Sequence, residues 1–290
     1  MSDDISQLLI GHVARNYGRF SPLEKDRWVD ALLALPAGKG PRLAAAPDTG
    51  IYDSITCYVF PNLQIAPGVY GDVSLGKKLL NDGRRYTQKE WLDGKCRLGV
   101  MPPTTVASYQ MVRRALSSDT KEAAEVLNII ADDWVKYWPV SASRVDFGKG
   151  NEAVVTHTLP DGSEVEVSTA LPEGTRHYDS RWSYEPLPIG GVNSRFSGYL
   201  NTILGDGSDE AGAVFRQLLD SRWLRFGDNG VRLWTPAMSN RRRTRALVLG
   251  VYDNDRFGIG ADDSISSSRP ARGVAAQKIH RTGFLETAQV

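Results

Sequence analysis

The sequence predicts an α+β chain. Two patterns predict it: long stretches with apolar residues three and four apart, and short runs in which apolar and polar residues alternate. A third observation sets the scale. The 290 residues, 41% of them hydrophobic, can bury one large core or two ordinary ones.

The helical pattern opens the chain. Ile5, Leu8, Leu9 and Val13 share one helical face. Ser21-Pro22-Leu23-Glu24 is a capping box with proline at the first helical position, and Trp28, Ala31, Leu32 and Leu35 follow on one face. Pro36 to Pro47 reads as a connector. Residues 51–74 alternate and carry Gly and Pro, as strands and turns do. Residues 76–93 are mixed, with a helical stretch near Tyr86 to Leu92. Val106 to Leu116 predicts a helix. Ala123, Val126, Leu127, Ile130 and Trp134 predict a longer one that stops before Tyr137-Trp138-Pro139. Ala153–Thr158 and Glu164–Ser168 form a hairpin around Pro160-Asp161-Gly162. Residues 171–192, rich in Pro, Gly and aromatics, read as a long ordered loop. Ser208 caps a helix whose apolar face is Ala211, Val214, Phe215, Leu218 and Leu219. Strands are expected at Trp223–Phe226, Val231–Trp234 and Ala246–Val251.

The totals exclude several classes. With 35 basic against 34 acidic residues, no global field favours nucleic acid. No apolar run approaches the ~20 residues of a membrane span. The N-terminus, Met1-Ser2-Asp3-Asp4, is acidic where a signal peptide is basic. The chain is therefore expected to be cytoplasmic when made, which is compatible with later virion or surface association. Cys57 and Cys96 do not make a disulfide scaffold. One bridge is open to them, but buried free thiols are expected. His12, His157, His177 and His280 lack metal-ligand spacing, and His157 is expected to be a satisfied core histidine. Asp132-Asp133 and Asp262-Asp263 could meet Ca²⁺, but a solvated surface is the favoured reading. Gly205-Asp206-Gly207-Ser208-Asp209 reads as a turn and helix cap. No metal and no cofactor is expected.

One stretch stands apart. In Arg256-Phe257-Gly258-Ile259-Gly260-Ala261-Asp262, strand geometry sends Phe257, Ile259 and Ala261 to one side. Gly258, Gly260 and Asp262 go to the other and are expected to face outward. Polar residues flank this run: Tyr252-Asp253-Asn254-Asp255 before it, Asp262-Asp263-Ser264 and Ser266-Ser267-Ser268 after it. Small polar residues and one Tyr on a sparse apolar frame resemble an antibody paratope in composition. Replacing the adenines of an AAC codon cannot yield Lys, Glu, Gln, Met or Trp. None of these five occurs from Ala246 to Arg269.

From Met101 to Gly273 the chain resembles the variable proteins of diversity-generating retroelements, which have a C-type-lectin fold related to that of formylglycine-generating enzymes. The resemblance is carried by Met101-Pro102-Pro103, Tyr137-Trp138-Pro139-Val140-Ser141-Ala142-Ser143, the strand ending near Val155-Thr156-His157, Gly205-Asp206-Gly207-Ser208-Asp209, Leu233-Trp234 and the closing Ala271-Arg272-Gly273-Val274. The closing motif departs from the Gly-Phe-Arg-Val that is common in related folds. The resemblance implies a C-type-lectin-like ligand-binding domain at 99–276, which leaves a helical and mixed α+β region at 1–98 before it and a tail at 277–290 after it. It also implies a non-catalytic protein whose variable site is Tyr252, Asp253, Asn254, Asp255, Gly258, Gly260, Asp262, Asp263, Ser264, Ser266, Ser267 and Ser268. The expected partner is a protein or cell-surface ligand, and an oligomer is left open. The cysteine chemistry of the related enzymes does not carry over, since Cys57 and Cys96 lie outside the matching region. The rival reading is a nucleic-acid binder using Arg241-Arg242-Arg243-Thr244-Arg245, with Trp234 and Tyr252 as stacking surfaces. The nearby Asp253, Asp255, Asp262 and Asp263 oppose it by repelling phosphate.

Overall fold

Alternation in the first described stretch makes a hairpin. Strands β1 (Tyr52–Asp53), β2 (Cys57–Ala66) and β3 (Val69–Leu79) run antiparallel, and Gly68 turns the chain between the last two at φ 69°. The computed structural model describes residues 50–95, 100–148, 151–171, 182–188, 196–220, 230–236, 243–252, 256–263 and 267–282. The expected helices before residue 36 and the strand at Trp223–Phe226 lie outside these. So do Cys96, His12 and His177. Cys57 is a free, half-buried thiol.

The next two expected helices form, the second with its expected face inward. Helix α1 (Thr105–Leu116) starts at Thr104, whose side chain accepts a hydrogen bond from the Ala107 amide. Helix α2 (Lys121–Lys136) starts at Thr120, which does the same for Ala123. Each cap satisfies one amide that the first turn would leave orphaned. α1 packs on β2 and on α2, and buries Val106, Tyr109, Met111 and Val112. The expected hairpin forms as β5 (Glu152–Thr158) and β6 (Glu164–Ala170), with Gly162 at φ 81° in its turn. Helix α4 (Ser208–Asp220) also forms.

Four elements were not anticipated. Strand β4 (Ser143–Phe147) pairs with β5, and helix α3 (Ser197–Leu204) packs against β6. Strand β7 (Trp182–Pro188) replaces part of the expected loop at 171–192. It holds Pro186 and Pro188, yet pairs with β8 (Gly230–Pro236) along its length. Its place at the sheet edge explains the prolines, because an edge strand can spare amide donors on its open side. Strand β11 (Arg272–Arg281) runs from the closing motif into the first residues of the expected tail.

The strands assemble into two sheets. One has the order β1-β2-β3-β11 and is wholly antiparallel. The other has the order β6-β5-β4-β9-β10-β8-β7, with β9 (Arg243–Tyr252) and β10 (Arg256–Asp263) at its centre. Only β8 and β10 are parallel in it. The fold is thus α+β. Across the boundary expected at residue 98, β3 pairs with β11 from Arg272↔Leu79 to Arg281↔Val69. Thr49–Val290 form one unit. Gln277 to Arg281, expected to begin a tail, belong to the same sheet as β3.

The core is continuous across α1, α2, α3, α4 and both sheets. An aromatic cluster sits inside it: the Phe257 ring lies 5.0 Å from Trp134 and 5.3 Å from Phe215, and none of the three is more than 3% exposed. Phe257→Ala should therefore cost about 3–5 kcal/mol in chemical denaturation, through lost burial and an unfilled cavity.

Candidate functional site

The stretch singled out above forms the centre of the larger sheet. β9 and β10 pair with Arg256↔Tyr252, Phe257↔Val251, Gly258↔Gly250, Ile259↔Leu249 and Gly260↔Val248, and the register shifts between Gly260 and Asp263. As the alternation requires, Phe257 and Ile259 enter the main core with Leu247, Leu249 and Val251.

The opposite face departs from expectation. Gly258 and Gly260 are buried, not outward. β10 is an inner strand, flanked by β9 and β8, and Ala246, Val248 and Gly250 on the same face are buried too. At Gly250 the reason is visible. A Cβ there would lie 3.1 Å from the Trp138 indole and 3.2 Å from the Trp134 carbonyl. Gly250 thus serves close packing, and Gly258 and Gly260, buried beside it, leave the candidate surface. Ser267 is half-buried and Ser268 exposed. The side chains of Tyr252, Asp262 and Asp263 lie outside the described set, as do Asp253, Asn254, Asp255, Ser264 and Ser266 entirely.

Both ends of the 252–268 stretch are fixed. At its start, the Trp138 indole N–H donates to the Val251 carbonyl at 2.7 Å. At its end, Arg269 exchanges backbone hydrogen bonds with Tyr86, and its carbonyl also accepts from the Trp91 indole at 2.9 Å. The Val140 amide donates to Pro270 and the Leu80 amide to Ala271. Arg272 then makes two bonds to the Asp133 carboxylate, one of them 2.9 Å, and a third to the Gly76 carbonyl at 3.0 Å. Both side chains are almost fully buried. Val274 exchanges backbone bonds with Met101.

The same set of motifs is linked internally. The Ser141 hydroxyl donates to the Leu247 carbonyl, and Gln88 donates to the Ser141 and Ser143 carbonyls at 2.9 and 2.7 Å. His157 is fully buried, as expected of a core histidine. Its Nε2 lies 2.8 Å from the Thr202 carbonyl, which can only accept, so Nε2 carries the proton. Its Nδ1 then accepts from the Ser143 hydroxyl at 2.8 Å. The serine of this Ser–His pair is also fully buried, and its hydroxyl oxygen accepts from the Thr105 amide. Asp206 is a buried hub that sequence reasoning missed: it accepts from Tyr109 at 2.9 Å, from Arg113 at 2.7 Å and from Gln110 at 3.3 Å. Burial first, then the Asp206 charge, pushes the Tyr109 phenol well above its usual range.

The other candidate chemistry is dispersed. Asp132 pairs with Lys136 at 2.6 Å and Asp133 with Arg272. Among the described residues, no three His, Cys, Asp or Glu side chains gather as a metal site would require. In the basic run, Arg243, Thr244 and Arg245 begin β9, half-buried and paired with β4, and Thr244 donates to Asp146. Arg241 and Arg242 lie outside the described residues. No described helix is long and apolar enough to cross a membrane. Comparison with known family models, with characterised proteins and with solved structures finds no match to the chain.

Two outcomes follow from the buried polar groups. Arg272→Met strands a buried carboxylate and should cost about 3–5 kcal/mol, most of it regained when Asp133→Leu is added. His157 has its pKa lowered by burial, from 6.5 to about 4. The unfolded chain therefore takes up this proton near pH 6.5 and the folded chain only near pH 4. The contribution is complete above about pH 7 and falls as pH drops through that window, by about 3 kcal/mol in all. Denaturation against pH should show this slope, and His157→Gln should remove it.

Proposed function

We propose that the chain is a non-catalytic recognition protein of C-type-lectin-like fold, the variable protein of a diversity-generating retroelement. One observation carries the reading. The 252–268 stretch is bounded by Trp138–Val251 on one side and by the Tyr86, Trp91, Val140 and Asp133 contacts to residues 269–272 on the other. Fixed ends lower the ordering entropy that a binding loop loses on contact with its ligand. On this reading the fixed ends leave the polar side chains that flank the apolar part of β10 free to change, while Phe257 and Ile259 stay in the core.

The motifs behind the resemblance support this division. Met101, Trp138, Val140, Ser141, His157 and Arg272 are tied to one another or to the sheet, and none belongs to the candidate loop. The site proposed is therefore Tyr252, Asp253, Asn254, Asp255, Asp262, Asp263, Ser264, Ser266, Ser267 and Ser268. Tyr252 would serve as aromatic anchor, with the Asp and Ser groups as adaptable polar contacts.

Substituting these ten positions together should leave the melting temperature within a few degrees, roughly the range of ordinary surface changes. It should redirect binding, while Phe257→Asp unfolds the protein. Loss of folding in the tenfold variant would overturn the reading. Binding that collapses steeply with added salt would favour nucleic acid instead. In the surrounding DNA, a near-copy of codons 246–273 with AAC at these positions is expected beside a reverse-transcriptase gene.

A further inference from the structure

Resting on that reading, we infer that Trp138 is the positioning residue of the recognition surface. Its single indole clasps the chain just before Tyr252 and just after Ser268, and so sets the spacing at which the variable positions meet a ligand.

Trp138 stands where helix termination alone would not put it. Helix α2 ends at Lys136, and Tyr137 caps it. At the next position helices commonly turn left-handed, and glycine is the usual occupant. Here the occupant is Trp138, at φ 50°. A bulky side chain is strained in that backbone, and such strain tends to be kept where it serves a site.

The contacts of the indole show what it serves. On the β9 side its N–H donates to the Val251 carbonyl at 2.7 Å. Gly250 makes the room, since a Cβ there would lie 3.1 Å from the ring. On the other side the Arg269 guanidinium lies 5.2 Å from the ring centroid, within reach of cation–π attraction. The same guanidinium donates to the Trp138 carbonyl at 3.4 Å. Val251 is held by β10, and Arg269 by Tyr86 and Trp91, each separately. The indole joins the two.

The consequence for binding is preorganisation. Polar segments held at a fixed separation lose less freedom when a ligand bridges them. Trp138, Gly250 and Arg269 lie outside the variable set, so the clasp acts alike whatever the variable positions hold.

The test compares the full chain with three variants. Trp138→Phe keeps a ring and loses the N–H, Arg269→Leu loses the cation, and Arg269→Lys keeps it. In the protein without ligand, amide hydrogen exchange at positions 252 and 269 should quicken roughly tenfold in the first two and recover in the third. Exchange in β3 and β11 and the melting temperature should hold, which a merely structural role for Trp138 would not allow. The same substitutions then enter independent binders of purified lysozyme, selected from a library with the ten variable positions randomised. Trp138→Phe and Arg269→Leu should weaken most of them roughly fivefold, and Arg269→Lys should restore binding. Unchanged exchange at 252 and 269, or faster exchange spread over both sheets, would overturn the clasp. Binders indifferent to Trp138→Phe and Arg269→Leu would also overturn it and leave the variable site standing. A library without binders, beside the expected exchange, would overturn the recognition reading and leave Trp138 as the tie between the two segments.

Discussion

The Arg272–Asp133 ion pair is the constraint on which the architecture turns. Arg272 opens β11, Asp133 belongs to α2, and the third donor of the guanidinium reaches Gly76 in β3. One planar cation thus ties the smaller sheet to the helix that covers the centre of the larger one. A buried pair contributes little net stability, because desolvation offsets most of the attraction. What it contributes is geometry. Any other placement of β11 would leave a charge buried without its partner, so the register of the closing strand is fixed more strictly than apolar packing alone would fix it.

Much of this architecture was legible in the residues. α1 and α2 follow from apolar spacing plus a threonine cap, and the β5–β6 hairpin from alternation around Pro160-Asp161-Gly162. These are local signals, and local hydrogen bonds answer them. β11 and β7 were missed because their partners are distant. Nothing in Ala275-Ala276-Gln277-Lys278 announces a strand until β3 stands beside it, and the prolines of β7 are tolerated only because it lies at an edge. Asp206 looked like part of a turn, and the turn hid its three donors from α1.

The candidate site was legible in outline and misread in one respect. Alternation correctly separated Phe257 and Ile259 from the glycines between them. It could not tell whether the second face of the strand meets water or protein, since glycine suits both open display and close backbone approach. The burial of Ala246, Val248 and Gly250 alongside decides for close approach. The resemblance motifs fared differently. They were quoted as scattered signatures, and most of them prove to be one hydrogen-bonded framework, with Val140 reaching Pro270, Ala142 reaching Pro103 and Met101 reaching Val274.

The order of these parts along the chain has a consequence for synthesis. Strand β3 leaves the ribosome almost two hundred residues ahead of its neighbour β11 and must wait with an open edge. The 252–268 stretch is translated just before the strand that completes the smaller sheet. A stop codon or frameshift within that stretch yields a chain with no β11, whose bare sheet edge marks it for aggregation or proteolysis. Only chains read in frame through this stretch can complete the smaller sheet, so the fold itself rejects products cut short within it.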